Sequence, residues 1–187
     1  MKVVETKKFK NCLNIGVSII LVFMGIFLLI FPWFGETRPG RLLYLLYTVY
    51  GGIKIIEYIF TRNDKDYEDL YTGIACILAA ASGFKFWMYS SAMVLSLTLV
   101  SWIGIMAIIK LIKLDFYHDR SNKMFYVNLI TFSVFLLAGL LTSVNLYFEE
   151  AIQTIMLGLF FLVNGMLNLI EDGIRIYWEN KENSKNK

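Results

Sequence analysis

Charge is scarce in this chain: 18% of its 187 residues are Asp, Glu, Lys or Arg, against about 25% in an ordinary soluble domain. Histidine occurs once, at His118, which leaves no histidine to pair with a second in a zinc site and makes a histidine-activated nucleophile a poor reading. The two cysteines, Cys12 and Cys76, have no metal-ligand spacing and read as thiols in or beside apolar segments. Both prolines, Pro32 and Pro39, lie between apolar stretches. No phosphate-binding glycine loop is present, so no cofactor is expected. The net charge of +3 is too small to argue for nucleic acid.

Where the missing charges are missing from is more informative. No ionisable acid or base falls between Lys10 and Glu36, between Lys85 and Lys110, or between Lys123 and Glu149. About 18 or more apolar residues without charge suffice to cross the hydrocarbon core as a helix. A chain this small has too little interior to hide three such runs in water. The mean hydropathy, +0.58, agrees. The first run is too long for a signal-peptide core and lacks a small-residue cleavage pattern, so it reads as a retained helix.

Hydropathy and breakers predict an all-α polytopic membrane protein of six helices, at about 12–34, 42–60, 70–88, 90–114, 124–146 and 151–178. Residues 1–11 precede them, and 179–187 form a polar, lysine-rich tail expected to be disordered. Helix three is the awkward one, because Lys85 follows Asp69 too closely for a full apolar crossing. The reading preferred is a helix continuing past Lys85, whose ammonium reaches to the interface, and a tight turn before helix four. A broken or re-entrant element over 70–109 is the alternative. His118 is placed in a polar loop. Helix six is expected to leave the hydrocarbon near Ile170 and run on as an amphipathic helix through Ile174, Tyr177 and Trp178.

Lysine and arginine counts set the orientation. Fourteen flank the helix ends on the side bearing both termini and three (Arg38, Arg41 and Lys85) lie on the other. The positive-inside rule then puts both termini in the cytoplasm, which requires an even number of crossings. Lys181, Lys185 and Lys187 would lie beside anionic lipid. The expected partners are the bilayer and its anionic lipids, with homo-oligomerisation left open.

Glycines suggest a repeat. Gly25 and Gly139 are 114 positions apart, as are Gly51 and Gly165, while Gly16 and Gly73 share half that step. Gly51, Gly104 and Gly165 each precede a charged residue by six: Glu57, Lys110 and Glu171. These spacings predict three tandem helical hairpins inserted with the same orientation. Small residues let helices approach closely in lipid. On that ground Gly16, Gly25, Gly51, Gly73, Gly83, Gly104, Gly139 and Gly165 are the expected packing glycines. The stripe Gly73, Cys76, Ala80 and Gly83 is expected to make the closest contact of the bundle.

The thrice-repeated hairpin resembles a short-repeat family of bacterial membrane proteins that includes the acid-resistance protein of the HdeD type. The stretches carrying the likeness are 16–33, 49–60, 101–113 and 159–174, with Gly16, Gly25, Pro32, Gly51, Gly104, Gly139 and Gly165 at the matching positions. The resemblance implies a six-helix protein of the bacterial inner membrane and a part in acid or envelope stress. It supplies no catalytic residues. The third helix departs from the pattern, with Lys85 in an apolar place and no proline.

Chemistry, if present, should centre on intramembrane charge. Lys54 and Glu57 are three apart on one helix and therefore neighbours on its surface. An ionisable group at that depth is a functional candidate by default, although snorkelling to a nearby interface is the plainer explanation. Three hairpins around a common axis would bring Glu57, Lys110 and Glu171 to one depth, as a single network. The functional classes left open are a structural or stress-response membrane protein, a transporter or channel for a small solute or ion, and, least favoured, a membrane enzyme. A polar path through the outer half would have to use residues such as Ser96, Thr98, Thr131, Thr142 and Ser143, which also serve simply to bond helix backbones.

Overall fold

A computed structural model describes residues 2–32, 39–61, 67–85, 92–118, 122–145 and 150–185. Among these residues there are six α-helices: α1 (Lys2–Ile30), α2 (Pro39–Thr61), α3 (Tyr67–Lys85), α4 (Ala92–His118), α5 (Asn122–Asn145) and α6 (Glu150–Lys185). α1 ends just before Pro32, whose ring and missing N–H cannot be accommodated in a helix interior. Pro39 opens α2 at the first helical position, where no intrahelical bond is asked of its nitrogen. Glu68 and Asp69 lie in the first turn of α3, the end at which a helix favours anions.

Several boundaries differ from the sequence reading. α1 starts at Lys2, within the segment set aside as a leader to the first span. α4 continues through Lys113 to His118, whose ring meets Phe125 of α5 edge-on at 5.3 Å instead of lying in a loop. α6 runs past Trp178 to Lys185, so most of the tail expected to be disordered is helical. Lys181 and Lys123 both stand over the Trp178 ring, at 5.2 and 4.4 Å, which ties this extension to the start of α5. The tight turn expected between helices three and four falls in 86–91, outside the described residues.

The surface is apolar, and the interior joins a hydrophobic core to an unusual number of buried polar and charged side chains. Phe23, Leu78, Ile112 and Val144 are each more than 60% exposed, whereas Lys54, Glu57, Asp69, Glu171, Asn14, Asn128 and Asn164 are buried. An apolar outer face of this extent requires a lipid surrounding. α1, α4, α5 and α6 each contain a stretch long and apolar enough to cross a bilayer. This is a membrane-embedded, all-α, multi-pass protein.

The helices close a ring in chain order, sealed by α1 against α6. Its most extensive contacts are α1–α6, α2–α3 and α4–α5, while α1 and α2 touch least of all ring neighbours. Glycines mark each of these three seams. A methyl on Gly25 would come within 2.5 Å of the Leu162 backbone, and one on Gly165 within 2.9 Å of the Ser18 carbonyl. Gly158 faces Gly25 across the same α1–α6 seam. Gly51 and Gly73 face each other across α2–α3, and Gly139 accepts the Ile103 side chain between α5 and α4. The α3 stripe does pack through Gly73 and Cys76, but the closest seam is α1–α6, because three glycines there admit backbone to backbone. Gly16 and Gly104 are not packing glycines: nothing lies within 4 Å of a methyl added to either. The surroundings of Gly83 are outside the described residues.

Candidate functional site: a charged cavity in the termini-bearing half

Five helices each turn one polar stripe toward a common cavity of about 70 Å³. α1 contributes Lys10, Asn14 and Ser18; α2 contributes Tyr50 and Lys54; α3 contributes Glu68, Asp69 and Thr72. From α4 come Trp102, Met106, Lys110 and Lys113, and from α6 Asn164, Asn168, Glu171, Asp172 and Arg175. The spacing of three or four within each set keeps it on one helix face. Among the described residues, none of α5 lines the cavity. The charged residues of the lining belong to the half of the bundle nearest the start of α1 and the end of α6. The space is several times the roughly 10–15 Å³ that one water needs on this measure.

The ionisable residues form two groups. In the first, the Lys54 ammonium donates to Asn14 Oδ1 at 2.6 Å, Glu57 Oε2 at 2.6 Å and Asp69 Oδ1 at 3.2 Å. Three acceptors match its three protons. The other oxygen of Asp69 pairs with Lys10 at 2.6 Å. Three helices are thereby joined through one buried lysine. Snorkelling does not describe it, because Lys54 and Glu57 point inward and are buried.

In the second group, Glu171 pairs with Lys113 through Oε1 and has Lys110 at 3.6 Å from Oε2. Lys113 also reaches Glu68 at 3.3 Å, and Arg175 pairs with Asp172 at 2.7 Å. Lys110 and Glu171 therefore do approach each other. Glu57 belongs to the first group, with Lys54, so the single Glu57–Lys110–Glu171 network becomes two clusters. Depth along a helix was readable from the sequence; the rotation that selects Lys54 for Glu57 was not.

An aromatic assembly lies beneath. Trp102 is buried near the middle of α4, its ring 5.1 Å from Tyr47, 6.0 Å from Phe135 and 6.0 Å from Phe160. Its indole N–H donates to Cys76 Sγ at 3.2 Å. The indole touches residues of α2, α3, α5 and α6 and forms part of the cavity lining, so it closes the polar space at mid-bundle. Sequence reasoning passed over Trp102. The available signal was a tryptophan deep in a charge-free run, away from the interface where it usually resides.

Beyond Trp102 the polar side chains turn back to the backbone. Thr142 bonds Ala138 O, Ser143 bonds Gly139 O and Ser96 bonds Ser143 O. These contacts satisfy carbonyls inside lipid and do not line a route outward. Among the described residues no group of three histidines, cysteines or carboxylates could hold a metal.

The step of 114 positions that relates the glycines also relates polar residues of the site. It takes Asn14 to Asn128, Tyr50 to Asn164, Lys54 to Asn168 and Glu57 to Glu171. Tyr50, Lys54, Asn164 and Asn168 all line the cavity. Comparison with protein-family models, curated proteins and solved structures returns no match.

Proposed function

We propose that the protein is a six-span membrane protein, built as three repeated hairpins, that admits a small polar solute or ion into the half bearing its termini. The observation carrying this reading is the charged cavity above Trp102. A bundle needing only stability gains little from such an interior, because replacing buried ion pairs by apolar residues is often neutral or stabilising. Intramembrane ionisable residues around a water-sized space are instead typical of substrate and ion pathways. The positive-inside bias supports a cytoplasmic orientation for this half, and the short-repeat resemblance supports a bacterial inner membrane. The hairpin repeat is supported by the three glycine seams, each joining helices of different hairpins.

The test is flux into liposomes containing the purified chain, across a panel of small ions and neutral solutes. Saturable flux above that of protein-free vesicles, lost in Glu171→Gln, is expected. Failure with every solute would favour the second reading, a part in acid or envelope stress without turnover, as the short-repeat resemblance implies. The specific support for that reading is the pairing of both acidic clusters with lysines of the chain itself.

A further inference from the structure

The cations around the cavity are not held equally tightly. Glu171 faces two lysines, and its Oε1 is taken by Lys113. Lys110 is left 3.6 Å from Oε2, beyond a normal N–H···O hydrogen bond. Its other neighbour is the Phe135 ring, with the ammonium 5.5 Å from the centroid. Glu68, the next acid, is 38% exposed and interacts with Lys113, so solvent weakens what it offers to the interior. Asp172 is committed to Arg175, and Asp69 to Lys10 and Lys54. Five cations, Lys10, Lys54, Lys110, Lys113 and Arg175, stand against five acids, Glu57, Glu68, Asp69, Glu171 and Asp172, and Lys110 is the most loosely paired of the cations.

Polar groups surround this loosely paired ammonium. Asn164 has 9% of its surface exposed, and it lines the cavity. Its side-chain amide borders the cavity and, among the described residues, is tied to no ion pair of the two clusters. Asn168 stands one turn along α6 on the same wall. An ammonium with protons to spare and amide N–H donors, in a space several waters large, make a site for a compact acceptor bearing one negative charge.

We propose that the cavity is a binding site for a small monovalent oxyanion of the carboxylate or bicarbonate class. Lys110 supplies the charge, while Asn164 and Asn168 donate to the oxygens. The site rests on the same cavity as the solute-handling reading, and it names the class of solute. A phosphate or carboxylate of an anionic lipid headgroup presents the same chemistry.

The test uses the full chain in phosphatidylcholine nanodiscs, titrated with sodium acetate and separately with bicarbonate, at constant ionic strength set with gluconate, which is too bulky to enter. Thermal unfolding reads the binding. A saturable rise in melting temperature is expected with acetate or bicarbonate. Lys110→Met should weaken the apparent affinity at least tenfold and Lys110→Arg should retain most of it. Asn164→Leu, which leaves every ion pair in place, should weaken it severalfold and keeps the test valid if Lys110→Met does not fold. Repeating the titration with phosphatidylglycerol separates the sources. A response suppressed by that lipid, with stabilisation by the lipid itself depending on Lys110, assigns the site to headgroups. A response unaffected by it assigns the site to the free anion. No saturable response to acetate, bicarbonate or phosphatidylglycerol, or an unchanged response in both Lys110→Met and Asn164→Leu, overturns the proposal. Binding without liposome flux would overturn transport and leave the anion site standing.

Discussion

Lys54→Met is the sharpest probe of the buried charge. Methionine fills nearly the same volume as the lysine stem, so the packing change is small. What disappears is an ammonium bonded to Asn14, Glu57 and Asp69. Asp69 keeps Lys10 at 2.6 Å, but Glu57, with 1% of its surface exposed, loses its nearest cation. Removing one partner of a buried ion pair costs about 3–5 kcal/mol. At about 1.4 kcal/mol per factor of ten, that is roughly two to four decades in the unfolding equilibrium. Steric-trap unfolding in bicelles can measure a change of that size. The companion variant Lys54→Met/Glu57→Gln removes the stranded charge as well. It should therefore be more stable than Lys54→Met alone, with a coupling energy well above the ~0.5 kcal/mol expected of independent sites. Lys54→Met within ~0.5 kcal/mol of wild type, or strict additivity in the cycle, would refute the argument that this lysine neutralises the first cluster.

The remaining predictions concern packing and boundaries. Gly25→Ala places a methyl against the backbone of α6 and should destabilise by about 1–3 kcal/mol or more, whereas Gly16→Ala meets nothing and should be neutral within ~1 kcal/mol; equal effects in the same unfolding assay would contradict the α1–α6 seam. Maleimide labelling in intact proteoliposomes should leave the buried Cys76 thiol unmodified, and modification at a rate matching Cys12 would place it outside the core. Deleting residues 180–187 should shift the melting temperature by no more than a degree or two, because Lys123 still holds Trp178; loss of insertion on deletion would show that the helical extension anchors α6. Hydrogen exchange on the intact chain should find protected amides past Trp178, and fast exchange beginning at Glu171 would contradict a continuous α6.

The order of apolar and polar residues by itself determined the membrane class, the six helices to within a few residues at most ends, and which charged residues lie deep. Hydropathy acts segment by segment, so Lys54, Glu57, Lys110 and Glu171 could be picked out from the chain alone, as could Gly25, Gly51 and Gly165. Partner choice is not local. Whether Glu57 meets Lys54 or Lys110, whether Gly16 faces a helix or open space, and whether Trp102 sits at an interface or under a cavity depend on how each helix is rotated and on which helices are neighbours. Those choices are made when α1 closes the ring against α6, backbone against backbone at Gly25, Gly158 and Gly165. Closure turns the polar stripes of five helices onto one space. The charges were written in the sequence; the cavity they share exists only because the ring closes.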